Sequence, residues 1–257
     1  MAQVYTQHPR ELVAVKQEVA WQQIRDAYSG AYQGVFEKQV ALGPLAILLA
    51  HSALETGRWK AGLWNWNLGN IKASESYIQK PGAYHQYYRL NEYLKQADGS
   101  FKYVWFDPPH PQTRMRAYKT SADGAAEKVR FLGTASNPAK GNRYQKAWDA
   151  LEADDPGAYS KELHRAGYYT AQEGPYTRGL VSLYKEYKAK IESEPPTPGK
   201  VVSTPLDSSD YDETVPLHSA TTDTDLVRLW IGEPSFGLPD DLRAEIARDK
   251  QLALQDD

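Results

Sequence analysis

A glutamate at the end of an apolar helix is the first residue in this sequence that could do chemistry. Glu55 closes the run Leu45-Ala-Ile-Leu-Leu-Ala-His-Ser-Ala-Leu-Glu and is followed by Gly57 and Trp59. Removal from water disfavours the charged form of a carboxyl group, so Glu55 is a candidate proton donor near neutral pH. The alternative is a surface glutamate paired with a neighbouring basic residue, and composition leaves both interpretations open.

The segment after this glutamate, residues 61–73, is rich in Trp, Asn and Gly. Indole rings stack on the faces of sugars, and carboxamides hydrogen-bond to acetamido and hydroxyl groups. Such a segment is typical of a carbohydrate-binding surface. Trp64 and Trp66 would also suit a protein core, but their closeness to Glu55 favours at least one of them facing a cleft.

Several other kinds of site are excluded or disfavoured. The chain has no cysteine, which excludes disulfides, thiolate zinc sites, iron–sulfur clusters and cysteine nucleophiles. His51 and Glu55 are spaced to share a metal, but the six histidines show no metalloprotease pairing, so a packed His51 is favoured. Phosphate-binding loops, dinucleotide fingerprints and serine elbows are missing from the sequence. We therefore expect neither a cofactor nor a metal.

Charge divides the 257 residues into three parts. Residues 1–193 carry a net charge of +6, residues 194–225 carry −6 and residues 226–257 carry −3. The middle part begins Glu194-Pro-Pro-Thr-Pro-Gly and is poor in large apolar residues, which is typical of an extended linker. Residues 226–257 contain Leu226-Val-Arg-Leu-Trp-Ile and a short helix from Pro239, which predicts a segment that docks on a partner. Packing of this segment against its own domain is the alternative.

The expected surroundings of the protein follow from the same features. The longest apolar stretch, residues 40–54, is interrupted by Gly43, Pro44 and His51 and is too short to span a bilayer, so we expect no membrane insertion. The first residues lack an apolar signal core, which predicts synthesis in the cytoplasm without a secretory peptide. The basic domain favours an anionic partner, but no basic run or RNA-binding motif indicates nucleic acid.

Periodicity predicts a mainly helical (α+β) domain with a small inserted β-hairpin lobe. The lobe, residues 83–118, contains alternating runs at 84–90 and 101–106 with Asp98-Gly99 between them, a hairpin signal. The helical segments share apolar spacing of three and four residues and terminal Pro, Ser or Gly signals. They cover residues 11–28, 44–56, 121–132, 142–152, 156–166 and the chain from Pro175.

Four short segments in the same order resemble the glucosaminidase family, glycoside hydrolase family 73. Glu55-Thr-Gly-Arg-Trp and Asn67-Leu-Gly-Asn-Ile-Lys72 are similar to its Glu-x-Gly and Asn-Leu-Phe-Gly-Ile-Lys patterns. Arg116-Ala-Tyr118-Lys-Thr120 is similar to its Arg-x-Tyr-x-Ser segment, and Ala166-Gly-Tyr168-Tyr-Thr170 with Tyr176-Thr-Arg-Gly-Leu180 to its Ala-Gly-Tyr-Ala-Thr and Tyr-x-x-x-Leu ending. The resemblance covers roughly residues 45–185. It departs at Gly69-Asn70, where the family has Phe-Gly.

The resemblance implies a lysozyme-like domain that hydrolyses the β-1,4 bond between N-acetylglucosamine and N-acetylmuramic acid in peptidoglycan. Glu55 matches the family's general acid, Glu92 in Asn91-Glu92-Tyr93 matches its second carboxylate, and Tyr168 matches a tyrosine that lines its cleft. Side chains of the matched segments are then candidate sugar contacts. These are Trp59, Trp64, Trp66, Asn67, Asn70, Lys72, Tyr118 and Tyr169.

The role of Glu92 stays open on the residues alone. At the edge of a hairpin it would suit a base that activates water or a carboxylate that stabilises an oxocarbenium-like transition state, but it is equally a solvated strand-end charge. Carboxylates ~6.5–9.5 Å apart would indicate inversion and ~5–5.5 Å retention. Substrate-assisted catalysis would need no second carboxylate. Glu75, Asp98 and Asp107 are alternatives with weaker placement.

Three functions are compatible with these observations. The first is an acid-assisted peptidoglycan N-acetylglucosaminidase. The second is a lytic transglycosylase or muramidase of the same fold, disfavoured because the Gly-Leu-Met-Gln run of transglycosylases is missing. The third is a non-catalytic structural or wall-binding module of a virion.

Delivery without a signal peptide favours a virion-associated phage lysin that acts on the host cell wall. Residues 226–257 would then bind another virion protein or a secretion-apparatus protein. A holin-released endolysin, a secretion-system effector and a flagellum-type wall hydrolase are the alternatives.

Overall fold

The computed structural model describes residues 8–95, 101–135, 141–169, 171–194 and 226–227. Within these ranges the helices are α1 (Trp21–Phe36), α2 (Leu42–Lys60), α3 (Glu75–Gln79), α4 (Ser121–Gly133), α5 (Gln145–Glu152), α6 (Pro156–Arg165) and α7 (Glu173–Ser193). The strands are β1 (Tyr84–Tyr87), β2 (Leu90–Lys95), β3 (Phe101–Phe106), β4 (Arg114–Ala117) and β5 (Leu226–Val227). The expected helical domain with a β lobe inserted between helices is confirmed. No helix among the described residues has the length and apolar character that a membrane span requires.

Helix α2 lies at the centre of the core because its first turns are apolar on every side. Residues 45–50 are at most 1% exposed, as expected for a helix surrounded by protein. Helix α7 packs along one side of α2 and α1 along another, while α4 packs on α1. The glutamate at the end of α2 is therefore carried by the most deeply buried element of the fold.

The prediction of a helix over residues 11–28 is wrong in its first half, because residues 11–20 are extended and α1 begins at Trp21. The backbone of this segment bonds to other elements instead of to itself. Leu12 N donates to His85 O (2.8 Å), and Gln17 N donates to Leu63 O (2.8 Å). Alternating valines favour such an extended path once long-range partners exist.

The predicted hairpin has a different register in the structure. Strand β3 pairs with β2, with Glu92 opposite Val104, whereas β1 pairs with β4, with Tyr84 opposite Ala117. The predicted run at 84–90 is thus divided between two sheets at Tyr88 and Arg89. The proposed turn at Asp98-Gly99 lies outside the described residues, as do the linker after residue 194 and the predicted helix at Pro239.

Candidate active site

The right-handed part of α2 ends immediately after Glu55. Gly57, Arg58 and Trp59 all have left-handed backbone conformations, with φ of 58°, 57° and 58°. Glycine adopts this conformation at no steric cost, whereas Arg58 and Trp59 need tertiary contacts to hold it. Arg58 forms a bidentate pair with Glu186 (2.7 Å for both bonds), and the Trp59 indole donates to Ser52 Oγ at 2.9 Å. The chain is therefore turned sharply beside the candidate acid.

The carboxyl group of Glu55 is largely enclosed but reaches solvent, since its side chain is 11% exposed. Tyr176 OH donates to Glu55 Oε1 at 2.6 Å, and His51 Nε2 lies 3.8 Å from the same oxygen. Within the described residues, Oε2 has no hydrogen-bond partner. One oxygen is thus held in place while the other is available to carry a proton.

His51 is a neutral neighbour of this carboxyl group. It is fully buried, and burial together with the nearby charge of Lys128 holds its pKa well below the usual range. Its Nδ1 lies 2.7 Å from Tyr159 OH. Because the imidazole stays uncharged, it does not form a true ion pair with Glu55.

Tyr176 is the hydrogen-bond donor that positions Glu55. Its ring stacks on Tyr169, with centroids 3.6 Å apart and planes inclined by 13°. Burial and the negative charge of Glu55 both raise the pKa of Tyr176 well above its usual range. The phenol therefore keeps its proton and donates to Glu55 at all working pH values.

The turn formed by residues 67–70 is fixed from several directions. The Asn67 carboxamide donates to Ile71 O (2.9 Å) and Arg116 O (3.1 Å) and accepts from Ile71 N (2.9 Å). Tyr168 OH donates to Gly69 O at 2.8 Å. A Cβ on Gly69 would lie 2.6 Å from that hydroxyl, so the close approach requires glycine here.

Asn70 connects this turn to the acid and to the lobe. Its Nδ2 donates to the backbone oxygen of Glu55, and Tyr88 OH donates to its Oδ1 at 3.3 Å. Tyr88 in turn stacks on Trp64, with ring centroids 5.5 Å apart and planes inclined by 20°. Both rings are half-buried, so an aromatic pair borders the residues around Glu55.

A lysine is buried behind the same turn. Lys128 of α4 is 0% exposed, and its Nζ donates to Leu68 O at 3.1 Å. Burial lowers the pKa of Lys128 to about 7, and the negative charge of Glu55 acts in the opposite direction. Its amine and the carboxyl group are therefore electrostatically coupled.

The structure brings together some of the predicted site residues. Glu55, Asn70 and Tyr168 are connected through the turn at residues 67–70, and Trp64 lies beyond Asn70. Trp66 is half-buried against the core. Strand β2 carries Glu92, whose side chain lies outside the described residues.

Other predicted sugar contacts are turned into the protein. Trp59 is 1% exposed and packs on Tyr187, and the Asn67 carboxamide is occupied by bonds to the backbone of Ile71 and Arg116. Tyr118 and Tyr169 are also buried, and Tyr169 OH donates to Ser160 O at 3.0 Å. Lys72 Nζ donates to Gln112. Local sequence does not reveal which face of a residue is covered, so sugar contact by these side chains stays a prediction.

Sequence reasoning gave no role to Tyr176, Lys128 or Tyr88. Tyr176 was present in the quoted Tyr-x-x-x-Leu segment, but its partner is 121 residues away in the chain. A sequence signal for Lys128 exists: it falls on the apolar stripe of Ala125, Val129 and Leu132 in α4, which indicates burial. Tyr88 lies between two strands, where the pattern offers no signal. Within the described residues, no group of three His, Cys, Asp or Glu could hold a metal ion.

The chain is similar to a known protein family in sequence and to a known protein in structure. A family model described as "Glucosaminidase: Mannosyl-glycoprotein endo-beta-N-acetylglucosaminidase" matches residues 35–189. No curated protein sequence matches the chain. Among solved structures, the catalytic domain of the autolysin Auto from Listeria monocytogenes is similar, with 16% identity, a TM-score of 0.42 and coverage of 67% of this chain and 88% of that one.

Proposed function

This chain belongs to the glucosaminidase family of glycoside hydrolases, and we propose that it cleaves the β-1,4 bond between N-acetylglucosamine and N-acetylmuramic acid in peptidoglycan. The family match covers more than half of the chain and contains all four motifs on which the resemblance was based. It thereby confirms the predicted glucosaminidase family.

Glu55 is the proposed general acid, and the observation that carries this role is the asymmetry of its carboxyl group. Tyr176 holds Oε1 through a 2.6 Å hydrogen bond, while Oε2 has no partner among the described residues. In the acid form the proton then resides on Oε2. It passes to the glycosidic oxygen as the bond from that oxygen to the anomeric carbon breaks, and water adds to the anomeric carbon.

We assign the second carboxylate to Glu92. Strand β2 carries it in the lobe, opposite Val104 of β3. A carboxylate supplied from the lobe would face a glycan held between the lobe and the helical domain. It would deprotonate the attacking water or stabilise positive charge on the sugar ring.

The substitution Glu55→Gln tests this mechanism, because the amide keeps the shape of the side chain but cannot donate the proton. We expect a loss of about 10²–10⁴-fold in hydrolysis of purified peptidoglycan, with the fold retained. Glu192→Gln is the matched control, since Glu192 is an exposed glutamate near the end of α7. Equal clearing of a peptidoglycan zymogram by wild type and Glu55→Gln would remove the mechanism.

Mass spectrometry of the released fragments tests the bond. Reducing-end N-acetylglucosamine is the expected product. Reducing-end N-acetylmuramic acid would instead identify a muramidase, and a 1,6-anhydro product would identify a lytic transglycosylase.

We further propose that residues 226–257 attach the enzyme to a virion, as a phage lysin. This attachment is supported by the charge difference between the basic domain and the acidic end of the chain, and by the apolar run at residues 226–231. The backbone of Leu226–Val227 pairs with β2, which illustrates that this run can add to the edge of a sheet. Binding of the isolated domain and the full chain to purified virion proteins tests the proposal, since only the full chain should bind.

A further inference from the structure

Helix α4 buries a lysine, which is energetically unfavourable. Helix α4 buries Ala125, Val129 and Leu132 in the core, and Lys128 on the same stripe is 0% exposed. Lysine is rarely buried without a counterion, because removing its charge from water is unfavourable. No carboxylate lies within ion-pair distance of Lys128 in the described part of the chain.

We propose that Lys128 is a positioning residue for the catalytic acid: it holds the Leu68–Asn70 turn against the end of α2, and its ammonium group is coupled to the carboxyl group of Glu55. The inference depends on the proposed function, because it assigns Glu55 the role of general acid. It adds a residue outside the four recognised motifs to the machinery of that acid.

A continuous set of contacts joins Lys128 to Glu55. Lys128 Nζ donates to Leu68 O at 3.1 Å, and its Cδ lies 3.2 Å from the position of a Cβ on Gly69. Asn70, next in the turn, donates from Nδ2 to the backbone oxygen of Glu55. A change at Lys128 is therefore transmitted to the residue that carries the acid.

The electrostatic effect follows from the same burial. With its pKa lowered to about 7, Lys128 carries its charge below that pH and loses it above. The negative charge of Glu55 favours the charged form of Lys128, which couples the two groups. Low dielectric strengthens this coupling relative to the same pair in water.

The other titratable groups around the two residues are paired with each other or held neutral. His51 of α2 is held neutral by burial and by the charge of Lys128. Arg116 of β4 and Glu127 of α4 pair with each other. The phenols facing the site have pKa values raised first by burial and stay neutral; they are Tyr28 of α1, Tyr144 before α5, Tyr159 of α6, Tyr168, and Tyr176 of α7. Lys128 and Glu55 thus form one coupled pair.

Two variants at one position test the proposal. Lys128→Met removes the donor to Leu68 O, so kcat should fall by roughly tenfold with KM little changed, because the turn that positions Glu55 is released. Lys128→Gln keeps a donor for Leu68 O and should lose only about two- to threefold in kcat. Lys161→Gln, at an exposed lysine of α6, is the matched control and should change neither constant.

Equal kcat losses in folded Lys128→Gln and Lys128→Met overturn the proposal, because the donor to Leu68 O would then have no part in positioning Glu55. The coupling is measured on the lysine itself. The side-chain carbon-13 signal of Lys128, assigned by its loss in Lys128→Gln, should titrate near pH 7 in the wild type and at lower pH in Glu55→Gln, which lacks the charge that favours the ammonium form. A midpoint that does not move in Glu55→Gln also overturns the inference.

Failure of the proposed function has a different signature. If wild type releases no fragments from peptidoglycan, the assignment of the reaction fails. The carbon-13 titration then still decides whether Lys128 and Glu55 are coupled.

Discussion

The helical side of the site and the β lobe are held together by different kinds of contact. On the helical side, the groups around Glu55 are buried and joined by hydrogen bonds, as in the bond from Tyr176 to Oε1. On the lobe, Trp105 is 46% exposed, and Arg89 both lies over its ring at 4.4 Å and pairs with Asp107 at 2.9 Å on the surface. Buried hydrogen bonds lock geometry, whereas exposed ion pairs contribute little to stability. The difference indicates that the helices hold the proposed proton donor in a fixed position and that the lobe presents a more adaptable surface.

In this comparison, the largest loss of activity should follow from removing the hydroxyl group that donates to Glu55. Tyr176→Phe keeps the ring stacked on Tyr169 but removes the bond to Oε1, and we expect kcat to fall by roughly 10–100-fold. Steady-state hydrolysis of soluble peptidoglycan fragments measures it. Tyr184→Phe is the control on the same helix, since its hydroxyl donates to Asp154 at 2.7 Å and not to Glu55. Equal losses in both variants would mean that the effect is one of folding and not of positioning.

A smaller effect is expected on the lobe. Glu92→Gln should slow hydrolysis by several-fold to about 100-fold without ending it, because water still attacks a sugar whose leaving group is protonated by Glu55. Glu192→Gln, at an exposed glutamate of α7 outside the lobe, is the control. If Glu92→Gln were as inactive as Glu55→Gln, the lobe would contribute as much to the chemistry as the helical side does.

The smallest effect should follow removal of residues 195–257. Glu194 is retained because its backbone oxygen accepts from Arg25 and its carboxylate accepts from Gln22 (3.1 Å), which ties the end of α7 to α1. We expect activity on purified peptidoglycan within about twofold of the full chain, with loss only of attachment to a partner. A tenfold loss would instead assign the pairing of β5 with β2 a part in shaping the lobe.

Local sequence predicted the elements that have strong periodicity. The apolar run ending at Glu55, the stripe of α4 and the stripe of α7 with Leu180, Leu183 and Tyr187 all fold as expected helices. The helix predicted over residues 11–20 is wrong because their backbone groups bond to distant strands and loops, a preference that a single segment does not display. The predicted pairing of residues 84–90 with 101–106 is wrong. In the structure β2 pairs with β3, while β1 pairs with β4.

The sequence by itself determined that an acid stands at the end of a buried helix beside a Trp- and Asn-rich turn, because apolar periodicity and chain order are local properties. The tertiary structure alone decided what surrounds that acid. Tyr176 reaches Glu55 across 121 residues, and Lys128 reaches Leu68 across 60. Such contacts arise only when helices distant in the chain pack together, since the free energy that places them comes from burying their shared faces and not from the residues next to them in sequence.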